Sequence, residues 1–163
     1  MDKKEVLKYL KFWSVAQAIG SLSKDPSTKV GAVAFDDKMN IVSVGYNGFP
    51  RGVHDYEQRY RDREVKYKFI SHAEANLVAQ AAYGGRSLAG STVMLTSLFP
   101  CSNCAKLFIQ AGVIRVISPP PDINDRWGAE AEAARFMFQE AGIEQIHVKK
   151  NEQEDWIINN GGL

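Results

Sequence analysis

The spacing of apolar and polar positions changes several times along this chain, and each change marks an element. From residue 3 to 23 the apolar positions recur at helical spacing. Val6, Leu7, Leu10, Trp13, Ala16, Gln17 and Gly20 fall near one face, and Phe12, Ile19 and Leu22 widen the stripe. Residues 23–29 (SKDPSTK) break that period: Asp25-Pro26 favours a turn, and Ser and Thr compete with helical hydrogen bonding. Val30 to Phe35 and Ile41 to Tyr46 then read as a hairpin joined by the polar turn Asp36-Asp37-Lys38. A glycine-rich stretch, Gly45 to Val53, and a charged run, Arg51 to Lys68, follow. Ser71 is the expected N-cap of a second helix ending at Gly84-Gly85. Ser91 to Thr96 reads as a strand, and Pro100 opens a third helix that Gly112 closes. Val113 to Ile117, Trp127 to Gly142 and Ile143 to Val148 read as strand, helix and strand. The order α-β-β-α-β-α-β-α-β indicates an α/β fold: a three-layer α/β/α sandwich around a mixed five-stranded sheet, its last strands parallel.

The bulk properties narrow the class. A chain of 163 residues suits one domain, 1–163, with residues 151–163 as a C-terminal tail whose Trp156-Ile157-Ile158 docks on the core or on another subunit. A formal charge of +1 leaves no broad basic footprint, so nucleic acid is not an expected partner. No apolar run approaches the roughly 20 residues of a membrane span, and Lys8 and Lys11 interrupt any signal-peptide core. A cytoplasmic protein that engages no membrane is expected. Its 2 cysteines, three positions apart, point to metal or redox chemistry and not to a secreted disulfide framework.

The chemistry concentrates between Ser71 and Gly112. His72-Ala73-Glu74 precedes Pro100-Cys101-Ser102-Asn103-Cys104, the H-x-E…P-C-x-x-C signature known for zinc nucleobase deaminases. One imidazole and two thiolates suit zinc and leave a fourth position for water. Cys101 and Cys104 share one side of a helix's first turn, where free N–H groups and the helix dipole favour thiolates. His72 is expected in the first turn of its own helix, with Glu74 as proton carrier. Each half has a plain alternative. Glu74 stands three residues after Ser71 and could complete a capping box, and Cys-x-x-Cys alone could be a redox pair or half a structural finger. The two together, at predicted helix starts, favour the zinc site. Gly45 to Val53 is a structural turn or a ligand contact; Asn47 is the residue there able to donate and accept. The run from Arg51 to Lys68 holds six Lys or Arg against four Asp or Glu and reads as a mixed, solvated segment.

On these residues the chain resembles the deoxycytidylate (dCMP) deaminases of the cytidine deaminase superfamily. The matching stretches are SKDPSTKVGAV, GYNGFPRG, HAEANLV, FPCSNCAKLFIQAGVIRV and AEAARFMFQEAGI. The resemblance implies hydrolysis of dCMP to dUMP and ammonia, one zinc per chain on His72, Cys101 and Cys104, and proton transfer by Glu74. It also implies substrate contacts from Asn47, from Ala73, and from a phosphate-side loop holding Ser23, Lys24, Ser27 and Thr28. An effector site for dCTP as activator and dTTP as inhibitor, with Mg2+ accompanying the triphosphate, would lie around Gly45, Tyr46, Gly48 and Arg51. A homo-oligomer, commonly a hexamer, is the implied assembly. The chain departs from the family in three places. It lacks the cysteines for a second, structural zinc. Pro119-Pro120-Pro121-Asp122 stands where many members place a tyrosine, with Trp127 a candidate replacement. Gln80 and Tyr83 do not map securely onto effector contacts. The rival readings are a deaminase for another cytosine compound or small heterocycle, a zinc-stabilised nucleotide-binding module without turnover, and a dithiol redox protein.

Overall fold

In a computed structural model, the backbone of residues 3–150 and 156–160 and the side chains of residues 8–149 are described. Helix α1 is Lys3–Gly20, strands β1 and β2 are Gly31–Phe35 and Ile41–Tyr46, and short helices α2 and α3 are Glu57–Arg61 and Arg63–Phe69. Then come α4 (Ala73–Tyr83), β3 (Thr92–Leu95), α5 (Ser102–Gln110), β4 (Arg115–Ser118), α6 (Gly128–Glu140), β5 (Glu144–Lys150) and β6 (Trp156–Asn160). The sheet order is β2-β1-β3-β4-β5-β6. Strands β3, β4 and β5 are parallel, joined through helices, while β1 pairs antiparallel with both β2 and β3. The five strands expected from the sequence are all present. The tail adds a sixth, antiparallel to β5, because the extended Trp156–Asn160 backbone finds an open edge to pair with. Residues 151–155 and 161–163 lie outside the described residues.

Two apolar clusters make the three layers. One face of the sheet carries Leu77, Ala81, Phe108 and Phe138 from α4, α5 and α6 against Ala32, Ala34, Val93 and Val116. The other carries Tyr9, Trp13 and Ala16 of α1 against Val33, Phe35, Met94, Ile117 and Ile146. Alternation along β1 and β3 sends neighbouring residues to opposite faces, so one strand serves both clusters. Two glycines set how closely the helices approach. A Cβ on Gly31 would stand 1.8 Å from the Ala16 carbonyl oxygen of α1, and one on Gly45 would stand 2.2 Å from the Ala73 carbonyl oxygen of α4. Gly45 therefore has a packing duty: it lets the start of α4 lie against the sheet. Among the described residues no helix is long and apolar enough to cross a membrane.

Two expectations need correcting. Ser71 does not cap α4; its backbone forms a bridge with Gly48, N–H to oxygen in both directions at 2.8 and 3.1 Å. His72 occupies the N-cap position instead, so Glu74 is not part of a capping box. The run Arg51 to Lys68 is not wholly solvated either. Tyr60 and Lys66 are buried, because α2 and α3 fold their inner sides back over Phe49 and Asp25.

Candidate active site

Three segments converge on one point. The Gly48–Ser71 bridge fixes the chain just before α4, and Ser43 donates from β2 to the Leu77 carbonyl, holding α4 down. At the end of β3, Thr96 pairs with Gly31 at the start of β1, and Ser97 turns the chain in the left-handed region with φ 70°. Its hydroxyl donates to the Lys29 carbonyl at 2.8 Å. Pro100 follows, and Cys101 becomes the N-cap of α5. Both helices that start at the site thus have an N-cap residue whose side chain makes no capping hydrogen bond. Ser or Asp usually fills that position. Here the side chains of His72 and Cys101 turn to each other.

His72 Nδ1 lies 3.6 Å from Cys101 Sγ and 3.5 Å from Cys104 Sγ. The three donor atoms all fall within 4.8 Å of one another. A tetrahedral zinc with ordinary Zn–S and Zn–N lengths separates its sulfur and nitrogen ligands by about 3.6 Å, so the donor set fits the ion. Electrostatics agrees. Cys101 is pulled down to about 4, first by a hydrogen bond from the Cys104 thiol and then by His72. Cys104 is pushed up by that same contact and by burial. The bare pair therefore carries one negative charge between two sulfurs, and a divalent cation lets both ionise. The Cys101 contact raises His72.

Glu74 is buried at the first turn of α4, within hydrogen-bonding reach of Cys104, and burial pushes its carboxyl above the usual range. A carboxyl raised in this way takes up a proton more readily than an exposed one, which suits a proton carrier. Ala73, fully buried between His72 and Glu74, offers no side chain to a ligand; its carbonyl lies against Gly45.

The remaining expected contacts divide sharply. Asn47 is buried and its amide is engaged internally: Oδ1 accepts from Val30 N–H at 2.9 Å, and Nδ2 donates to the Thr28 carbonyl at 2.9 Å and to Asp25 at 3.3 Å. Ser23 is buried too, donating to the Asn47 carbonyl. Lys24 is exposed and ion-pairs with Asp55 at 2.7 Å, a contact that raises Lys24 and lowers Asp55. Ser27 and Thr28 present exposed side chains while their N–H groups point to Asp25. Arg51 sits apart from this loop, donating to Gln80 and stacked 4.2 Å over the Tyr83 ring. Tyr46 is exposed, and its carbonyl accepts from Asn76. Gly48 contributes through its backbone bridge.

Sequence reasoning missed Asp25 and Lys66, a buried pair. The Asp-Pro-Ser-Thr order carried a signal, since an aspartate there folds its own loop by accepting from N–H groups two and three residues on. Lys66 carried none; it stood in a charged run. Elsewhere, Trp127 meets Tyr67 edge-on at 5.8 Å, and Ser102 donates to Glu130, tying the starts of α5 and α6.

Residues 7–118 match the family model described as the cytidine and deoxycytidylate deaminase zinc-binding region. The chain belongs to the cytidine and deoxycytidylate deaminase family. It is 42% identical over 136 residues to an uncharacterized deaminase of the luxG 3' region of Aliivibrio fischeri, covering 82% of this chain and 88% of that protein. Human deoxycytidylate deaminase is 37% identical over 137 residues, covering 81% of this chain and 74% of the relative. Among solved structures, the dCMP deaminase of cyanophage S-TIM5 in complex with dCMP and dUMP superposes with a TM-score of 0.67 at 25% identity, covering 89% of this chain and 97% of that one. The three-donor cluster lies within the matched zinc-binding region, and the deaminase fold expected from the sequence is the one observed.

Proposed function

We propose that this protein hydrolyses dCMP to dUMP and ammonia, supplying dUMP for thymidylate synthesis. The observation that carries the reading is the His72–Cys101–Cys104 cluster at metal-ligand spacing with buried Glu74 against it. His72, Cys101 and Cys104 would hold one zinc. When bound, zinc supplies a Lewis acid that brings the pKa of water to about 7. Glu74 takes a proton from the attacking water as its oxygen adds to C4 of the cytosine ring, and delivers that proton to ring N3. The same carboxylate then takes the proton of the C4 hydroxyl and passes it to the amine as the C4–N4 bond breaks, leaving the C4 carbonyl of dUMP and ammonia, so water and dCMP balance against dUMP and ammonia. Burial of Glu74 excludes bulk water from competing for the proton. Two features support a nucleotide over a polynucleotide: the likeness to deoxycytidylate deaminases and a net charge of only +1.

The same reading extends to a cytoplasmic protein and, on the family resemblance, to a homo-oligomer; on the match of Gly45 to Gly52 it extends to regulation by dCTP and dTTP with Mg2+. Ammonia release by zinc-quantified protein is measured with dCMP, CMP, deoxycytidine and dCTP, against a Glu74→Ala variant. The expected result is preference for dCMP, zinc near one per chain, and a loss of about 10²–10⁴-fold or more in the variant. Retained zinc without turnover of any of these compounds overturns the reading. Saturation curves for dCMP that dCTP and dTTP leave unchanged remove the regulatory part.

A further inference from the structure

The pair formed by Asp25 and Lys66 joins parts of the chain that its sequence keeps apart. Both carboxylate oxygens of Asp25 lie 2.8 Å from Lys66 Nζ, and the two side chains are 2% and 10% exposed. Asp25 Oδ1 also accepts from the N–H groups of Ser27 and Thr28, at 2.8 and 3.4 Å, and Oδ2 from the Asn47 amide at 3.3 Å. Asn47 in turn accepts from Val30, the residue before β1. One carboxylate thus organises the loop from Ser23 to Val30. Lys66 anchors that carboxylate from α3, and six residues further on the chain reaches His72. At its other end the loop is held by Ser97, whose hydroxyl meets the Lys29 carbonyl in the turn leading to Cys101. The loop therefore lies between the two segments that deliver the metal ligands, and it turns Lys24, Ser27 and Thr28 outward.

We propose that Lys66 is a positioning residue for substrate: through Asp25 it locks the Ser23–Val30 loop beside the metal cluster in the shape that receives the sugar–phosphate side of the nucleotide. This rests on the nucleotide reading above. A burial this complete of a lysine and an aspartate is costly unless every polar atom is matched, and Asp25 meets four donors from three segments. Loss of Lys66 would leave Asp25 its loop donors yet release the loop from α3. The effect is expected on binding and hardly on the chemical step, because neither Glu74 nor a metal ligand touches the pair.

The test uses the zinc-loaded full chain and the variants Lys66→Met, Lys66→Arg and Asp25→Asn. Hydrogen exchange is read at the Ser27, Thr28 and Val30 amides, with KM and kcat for dCMP and zinc content measured on the same samples. In Lys66→Met, exchange at those amides speeds up and KM rises on the order of tenfold to a hundredfold. Its kcat stays within a few-fold and zinc remains near one per chain. Lys66→Arg recovers part of the KM, and Asp25→Asn, which keeps an oxygen for the loop but not the charge, reproduces the loss. A lowered Tm with unchanged loop exchange and unchanged KM means the pair is only structural, and overturns the proposal. Should Lys66→Met not fold, Asp25→Asn and Lys66→Arg carry the same comparison. Faster loop exchange in a protein whose wild type does not deaminate dCMP would instead strike the proposed substrate.

Discussion

Two clusters each join stretches that lie far apart in the sequence. His72, Cys101 and Cys104 form one; Asp25, Asn47 and Lys66 form the other. The first is left unfinished by the protein. Its side chains decline the usual work of N-caps, its thiols compete for one charge, and its donor atoms stand at the spacing of a metal's ligands. The second is finished: carboxylate, amide and ammonium satisfy one another and the loop backbone around them. A cluster whose ligating atoms converge at the spacing of one ion's ligands is built for an outside partner. One whose lone pairs all meet N–H groups is built to hold shape. The difference teaches that burial and polarity alone do not mark a binding site; the convergence of metal-ligating atoms does.

The contrast is open to attack on each side. The largest effect is expected from Cys104→Ser, which should lose zinc and all ammonia release. Loop exchange at Ser27 and Val30 should stay as in the wild type, because the second cluster needs no metal. If metal removal loosens that loop as well, the clusters are one unit and the distinction fails.

Next in size is Asp25→Ala, which leaves the Lys66 ammonium buried without a counter-charge. Destabilisation of about 3–5 kcal/mol by denaturant unfolding is expected. The double variant Asp25→Ala/Lys66→Met should cost less than the sum of the single changes, since it removes the orphaned charge. Additive losses would deny that the two groups act as a pair.

The smallest effect concerns His147, a half-buried ring that belongs to neither cluster. It packs 5.9 Å from the Phe99 ring, and among the described residues its Nδ1 has no hydrogen-bond partner. Burial lowers its pKa, so the folded protein favours the neutral ring. The contribution to stability is then full above the unfolded value, near 6.5, and is lost as pH falls through the folded value. Tm should drop less between pH 7.5 and about pH 5.5 in His147→Leu than in wild type. Equal drops would show that the ring is already solvated.

Much of this molecule was legible before its structure. The period of the apolar positions placed α1, the hairpin and the three parallel strands within a few residues, since each element must keep one face dry. The convergence of His72, Cys101 and Cys104 was legible because few residue types offer the atoms zinc prefers, and His-x-Glu with Pro-Cys-x-x-Cys sets three of them at a recognisable spacing. Ser71 misled, because Ser three residues before Glu has the pattern of a cap, and only the pairing of its backbone with Gly48 sends it elsewhere. The sixth strand could not be assigned either, since a short apolar tail pairs with whatever edge the sheet leaves open.

Local chemistry, then, was set by the sequence itself: which residues can hold a metal, which can move a proton, and which helix starts bring them forward. Tertiary structure decided what those residues share the site with. Lys66 in a charged run and Asp25 in a turn each look solvated on their own. Their meeting depends on α3 folding back over a loop 41 positions earlier in the chain. Charge pairs of that kind have no periodic signature, because their cost and gain both come from burial, and burial is a property of the whole fold.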